Sequence, residues 1–209
     1  MREGLAAIAL HGRGQNAQAI RSIVLDIGMK QLEVVCPEAP DGCWYPYSFL
    51  APLKDNEPWL SASLATVEQC FHGLVKESGY AREQIVLIGF SQGAALASEF
   101  VGRTMLGPIG GLIAWTGGRI GPLGCTWGEL HQLAGMQVLM TGSDVDQFVP
   151  GDRVRDTAAH FARRKAATTC RMEGRPHAVD KTDIALAKQV LSTKHERIVW
   201  MHHEASGMR

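Results

Sequence analysis

The chain has few cysteines and no arrangement of them that would staple or ligate. Cys36, Cys43, Cys70, Cys125 and Cys170 are odd in number, widely spaced and without a CxxC pair, which excludes a disulfide framework and a zinc site and predicts reduced, mostly buried thiols. There is no excess of charge either. Lys and Arg number 21, as do Asp and Glu, and no basic stripe with interleaved aromatics appears, so a nucleic-acid partner is not expected. No apolar run approaches the roughly eighteen residues that a membrane-spanning helix needs. The opening MREGLAAIALHG has one early positive charge and too short an apolar run for a signal peptide, so the expected location is cytoplasmic. Linkers, internal repeats and low-complexity stretches are absent as well. A single domain over residues 1–209 is the expectation, long enough to bury a core without staples.

What is present is an alternation. Strand-like apolar runs at Leu5 to Leu10, Leu32 to Cys36, Ile85 to Ile88, Gly111 to Trp115, Met136 to Met140 and Thr168 to Met172 are separated by helical periods. Ile20, Ile23, Val24 and Ile27 mark one helix face; Leu60, Leu64, Val67, Phe71 and Leu74 mark a longer one that Gly79 can close. Val154, Ala158 and Phe161 share a later face, as do Ile184, Ala187 and Leu191. This predicts an α/β fold with about six mostly parallel strands flanked by helices. In such sheets ligands gather at the carboxyl ends of the strands. Four of those ends carry chemically capable residues: His11 to Gly14, Gly89 to Gly93, Gly142 to Pro150, and Gly174 to His177.

The most informative stretch is IVLIGFSQGAALA, Ile85 to Ala97. An apolar strand runs into Gly89-Phe90-Ser91-Gln92-Gly93, and a small-residue helix follows. A serine at the apex of such a turn is pushed out of the sheet, and glycines two positions either side let strand and helix pass closely. A serine hydroxyl needs a base, and the base needs a carboxylate to fix its tautomer. In strand–turn–helix serine sites of this kind the chain order is serine, acid, histidine. Of the histidines beyond the candidate acids, His160 and His195 fall within helical periods, and His202 and His203 in a polar tail. His177 follows the last strand in a short loop, GRPHAV. For the acid, TGSDVDQFVP offers Asp144 and Asp146, one of which would serve the turn. Spacing from Val149-Pro150 favours Asp146, while Asp152 and Asp156 suit the first turns of the next helix.

An acyl-transfer intermediate also needs N–H donors for its oxyanion. The residue after the serine, Gln92, would supply one, and the loop after the first strand, through Arg13, the other. The Arg13 side chain is either solvated or placed at the entrance to attract an acidic substrate group. Between the second strand and the long helix lies CWYPYSFLAPLKDNEPWL, too long and aromatic for a mere connection. Trp44, Tyr45, Phe49 and Trp59 read there as loop-anchoring core; alternatively Trp44, Tyr45 and Phe49 wall an apolar substrate pocket. In the tail, Ile198 to Met201 is expected to pack on the domain or on a second subunit, the latter giving a homodimer. Adjacent His202 and His203 share no helix face and make a poor metal site.

Taken together, LHGRGQN at Leu10 to Asn16, GFSQGA at Gly89 to Ala94, DQFVP at Asp146 to Pro150 and the His177 loop resemble the phospholipase/carboxylesterase family, over nearly the whole chain. The resemblance implies an α/β-hydrolase fold, with Ser91 as nucleophile, Asp146 and His177 as its partners, and the backbone N–H groups of Arg13 and Gln92 as oxyanion hole. The family's Asp-Pro is here Asp146-Gln147, and its Trp-Tyr/Phe-Asp segment is here Trp44-Tyr45-Pro46. The chain also starts almost at the oxyanion strand, which predicts reduced N-terminal strands.

The resulting expectation is a cofactor-free and metal-free serine hydrolase acting on a small-molecule carboxylic ester, with an acyl thioester as the alternative substrate. A non-catalytic binding module on the same scaffold is a reading of a different class. A dienelactone-hydrolase-like enzyme would place cysteine where Ser91 stands.

Overall fold

The computed structural model of the chain describes residue 2 and residues 4–104, 106–128 and 131–207, with residues 201–207 described by backbone alone. Strand β1 (Leu5–Leu10) is followed by helix α1 (Ala17–Leu25) and strand β2 (Leu32–Val35). After a long connection come α2 (Trp59–Lys76), β3 (Ile85–Phe90), α3 (Gln92–Arg103) and β4 (Gly111–Trp115), then β5 (Gln137–Ser143), α4 (Gly151–Arg163), β6 (Ala167–Glu173) and α5 (Lys181–Gly207). The six strands form one sheet in the order β2-β1-β3-β4-β5-β6, and every pairing is parallel. The expected six strands are therefore found, and the sheet is wholly rather than mostly parallel among the described residues.

Parallel strands covered on both faces must be apolar on both faces, and the sequence obeys this. In β1, Ala6, Ile8 and Leu10 point into a core shared with Leu60, Val67 and Phe71 of α2, Leu96 and Phe100 of α3, and Val154 and Phe161 of α4. The alternate residues Leu5, Ala7 and Ala9 join Ile20 and Val24 of α1 and Ala187, Leu191 and Ile198 of α5 on the other face. Ile198 thus packs on the domain, Trp200 stays exposed, and the side chains of His202 and His203 lie outside the described residues. Among the described residues no helix is long and apolar enough to cross a membrane.

The order of the strands creates the place where a site can form. From β1 the chain moves outward to β2, then returns to lay β3 on the opposite side of β1. The connections leaving β1 and β3 therefore diverge to opposite faces, opening a crevice at their carboxyl ends. Register aligns those ends: Leu10 pairs with Gly89, Phe90 with Trp115, and Trp115 with Thr141. β5 runs to Ser143, three residues beyond the apolar run that predicted it, because Thr141, Gly142 and Ser143 continue the pairing with β6 opposite Arg171, Met172 and Glu173. This extension carries the following acidic loop up to the crevice.

Candidate active site

Ser91 stands between β3 and α3 with φ 55° and ψ −119°, a backbone conformation that costs a non-glycine residue on the order of 1–3 kcal/mol and survives only where surroundings impose it. The surroundings are identifiable. Its N–H donates to the Trp115 carbonyl at 3.0 Å, and its own carbonyl accepts from Ala95 at 3.0 Å, starting α3. A methyl group on Gly89 would lie 2.5 Å from the Gly93 carbonyl, and one on Gly93 would collide with the Leu10 carbonyl. Both glycines are thus required for the close approach of helix and strand that the sequence motif implied.

His177, in the loop after β6, faces Ser91. Its Nε2 lies 2.8 Å from Ser91 Oγ, and its Nδ1 lies 2.6 Å from Asp146 Oδ2. The carboxylate beside Nδ1 favours the tautomer with hydrogen there, leaving Nε2 able to accept the serine proton. The Asp146 side chain is fully buried, and that of His177 is 15% exposed, so the row is dry at one end and open at the other. Phe90 and Phe148 flank the imidazole with ring centroids 5.1 and 5.2 Å away.

Asp146 is held without the proline that the family motif places after it. Its Oδ1 accepts the N–H groups of Phe148 at 2.8 Å and Val149 at 3.1 Å, an Asx-type turn that fixes the loop through the carboxylate itself. Asp144, the other candidate acid, points away and pairs on the surface with Arg155 at 2.5 Å. The His177 loop has its own anchors. Ser143 Oγ donates to the Arg175 carbonyl and accepts its N–H, while Arg171 and Arg175 both bind the buried Asp183 at 2.6 and 2.7 Å. Sequence reasoning missed these arginines; charged residues at alternate positions just before a loop histidine, followed by Asp180 and Asp183, were the available signal.

On the opposite side of Ser91 lies the loop after β1. A methyl group on Gly12 would sit 3.2 Å from Ser91 Cβ, a tight contact that shows how closely this loop approaches the serine. His11 is buried and structural: its Nε2 accepts from Ala39 N at 3.1 Å and its Nδ1 faces the Gly12 carbonyl at 2.8 Å. Gln92 opens α3, and its N–H is therefore one of those at a helix start with no carbonyl one turn back. Arg13 is exposed and lines the cleft, so it stands at the entrance in contact with solvent, and its side chain also has partners that neither expectation named. Its guanidinium is turned onto the loop of residues 43–47, with contacts of 2.7–3.0 Å to the carbonyls of Tyr45, Pro46 and Tyr47 and to Cys43 Sγ.

The cleft beside Ser91 encloses about 730 Å³, and Tyr45, Phe49, Gln92 and His177 line it. Of the three expected substrate residues, Phe49 is half-buried and gives the cleft a surface, whereas Tyr45 borders it but is 1% exposed and belongs to the core, as the loop-anchoring reading had it. Trp44 is a correction: it is 2% exposed, belongs to the core and donates Nε1–H to the His11 carbonyl at 2.9 Å, so it supports the serine loop from behind. Trp59, expected in the core, is exposed. The far wall comes from Ile23, Phe148, Val179 and Ile184. These residues were missed because they come from three separate segments; only Phe148, an apolar residue 69% exposed just after the acid, carries a local hint.

A wholly parallel sheet wound on both faces, with its crevice at the β1–β3 reversal, is the α/β-hydrolase fold. The chain belongs to the phospholipase/carboxylesterase family, whose model matches residues 3–195, and is thereby a hydrolase of the carboxylesterase and thioesterase type. Among solved structures it resembles a phospholipase/carboxylesterase from Dyadobacter fermentans, with 31% identity, TM-score 0.82, and coverage of 91% of this chain and 90% of that one. Its fold is also shared by the Bacillus cereus carboxylesterase, at 18% identity, TM-score 0.71 and coverage of 91% and 89%. The same holds for Zea mays acyl-protein thioesterase 2, at 16% identity, TM-score 0.72 and coverage of 93% and 95%. No curated protein sequence matches the chain at a significant level.

Proposed function

We propose that this chain is a carboxylic ester hydrolase working through Ser91, His177 and Asp146 without a cofactor. The observation that carries the reading is the unbroken row from buried carboxylate to imidazole to serine hydroxyl, with gaps of 2.6 and 2.8 Å. In this mechanism His177 Nε2 takes the Ser91 proton as Oγ attacks the ester carbonyl, and Asp146 stabilises the imidazolium that forms. The tetrahedral oxyanion is received by the main-chain N–H groups of Arg13 and Gln92. Collapse expels the alcohol, which takes the proton from His177. Water activated by the same imidazole then attacks the acyl-enzyme and releases the acid. The cleft favours an ester with an apolar acyl or alcohol part, since Phe49, Phe148, Val179 and Ile184 offer apolar surface there. Residues 1–209 act as one domain in this reading, in the cytoplasm.

The test is hydrolysis of a nitrophenyl-ester series from acetate upward, beside Ser91→Ala and a thioester of matched acyl length. The expected result is activity lost by about 10⁴-fold or more in the variant, with fluorophosphonate labelling of the wild type at Ser91. A thioester rate well above the matched ester rate would move the assignment to an acyl thioesterase. Equal inactivity of both proteins, with no labelling, would favour a binding module.

A further inference from the structure

The side chains of Arg13 and Gln92 converge on one carbonyl. The Tyr45 carbonyl oxygen accepts Arg13 Nη2–H at 2.8 Å and Gln92 Nε2–H at 2.8 Å, and the Cys43 thiol donates to it at 3.0 Å. Gln92 Oε1 accepts the N–H of Trp44 at 3.1 Å, and the Gly14 N–H reaches the Gly42 carbonyl at 2.8 Å. Arg13 adds contacts to Cys43 Sγ, Pro46 and Tyr47. Of the five N–H donors on a guanidinium, these contacts engage the four on Nη1 and Nη2, so no paired fork is left for a substrate carboxylate.

The same two residues carry the main-chain N–H groups assigned above to the oxyanion. We infer that the Arg13 and Gln92 side chains are positioning residues, which register the oxyanion-binding N–H groups against the 43–47 wall through the shared Tyr45 carbonyl. The inference rests on the serine mechanism proposed above. It gives the Arg13 charge a structural use and predicts no preference for anionic esters. Residues 43–47 lie outside any strand or α-helix, so these side chains supply order that a sheet ladder would otherwise give. Displacing a reacting or stabilising group by about 1 Å costs on the order of 10²-fold in rate.

The experiment compares Arg13→Ala, Arg13→Lys, Gln92→Met and the Arg13→Ala/Gln92→Met double variant on neutral nitrophenyl acetate and on an anionic nitrophenyl monoester of a dicarboxylic acid. Each single variant is expected to lose about 10- to 100-fold in kcat with little change in KM, equally on both esters. The double variant is expected to lose at most about threefold more than the worse single, since both side chains act on one carbonyl. Arg13→Lys keeps the charge but not the fork and should behave like Arg13→Ala. Several results would overturn the inference: losses confined to the anionic ester with raised KM, unchanged kcat beside a lowered melting temperature, multiplicative losses in the double variant, or full activity with lysine. Wild-type protein that neither turns over any ester nor reacts with a fluorophosphonate would remove the serine mechanism itself, and this inference with it. An active wild type with any of the former results removes only the positioning role.

Discussion

His177 and His160 are both imidazoles packed against aromatic rings, yet their surroundings make opposite electrostatic demands. His177 has a buried carboxylate on Nδ1 and a hydroxyl on Nε2, and one side open to a cleft. His160, on α4, accepts the Arg119 guanidinium at Nε2 at 3.1 Å, and its ring meets Trp127 edge-on at 5.5 Å. Burial first, then Arg119, Arg164 and Arg163, pushes its pKa down to about 4. The first histidine has a carboxylate on one nitrogen and a hydroxyl on the other. The second is kept neutral first by burial and then by the cations it helps to pack. Residue type alone separates neither, and position at a strand end rather than within a helix is what distinguishes them.

Arg119 in turn binds Glu99, a carboxylate buried within α3 two turns after Ser91, which also takes the N–H of Ile120 and pairs with Arg103 at 2.5 Å. Arg153 completes the cluster by donating to the carbonyls of Arg119 and Pro122. One helix thus begins at the proposed nucleophile and continues into a closed ion cluster. The first group faces the cleft, and the second sets one buried carboxylate among the guanidinium groups of Arg103, Arg119 and Arg153.

The sharpest way to test the contrast is to replace each histidine with glutamine. His177→Gln should lower kcat by about 10⁴-fold while leaving the urea midpoint close to wild type, because the ring is partly exposed and lies in a loop anchored independently by Arg175 and Ser143. His160→Gln should do the reverse, with its effect appearing in the pH dependence of stability. A histidine whose folded pKa lies below its unfolded value takes up its proton more readily when unfolded. Stability is therefore fully present above about pH 6.5 and is lost as pH falls toward 4. Between pH 7 and pH 5 the His160 contribution to that loss is about 2 kcal/mol, read as a difference in unfolding free energy from urea melts. The glutamine variant should lack this part of the slope. An unchanged slope would mean that the protonation of buried His160 does not set this part of the pH dependence.

Most of the frame was legible because periodicity reports burial directly. All six strands fall within a few residues of the apolar runs that predicted them, and the strand, turn and helix around Ser91 follow from two glycines and four apolar residues. What escaped were features made by residues far apart in sequence. Glu99 carries no local signal of its role: α3 is covered along its length and the charge is met by Arg119 from the segment after β4. Trp44 and Tyr45 are neighbours with the same aromatic signal, and the fold buries both, Trp44 behind the serine loop and Tyr45 at the border of the cleft. The Arg13 side chain could not be read locally, since its partners are carbonyls thirty or more residues away. Gln147 after Asp146 leaves the acid in place but removes a rigid turn former. The Asx turn supplies the missing rigidity through the carboxylate.

The smallest effect in this comparison belongs to Ser91 itself, and it separates reactivity from stability at one position. At φ 55° and ψ −119° a side chain is strained, whereas glycine adopts the conformation freely. Ser91→Gly removes the hydroxyl, and its activity should match that of Ser91→Ala. It should also raise the unfolding free energy relative to Ser91→Ala by about 1 kcal/mol, the strain relieved less the greater entropy that glycine gives the unfolded chain. Urea melts of the two variants, both without Oγ, isolate the backbone from the chemistry. A glycine variant no more stable than the alanine variant would mean that the surrounding hydrogen bonds, to the Trp115 carbonyl and from the Ala95 N–H, impose no net strain on Ser91. The turn would then be set by Gly89 and Gly93 alone. A more stable one would show that the protein holds a side chain in an unfavourable backbone conformation in order to present its hydroxyl to His177.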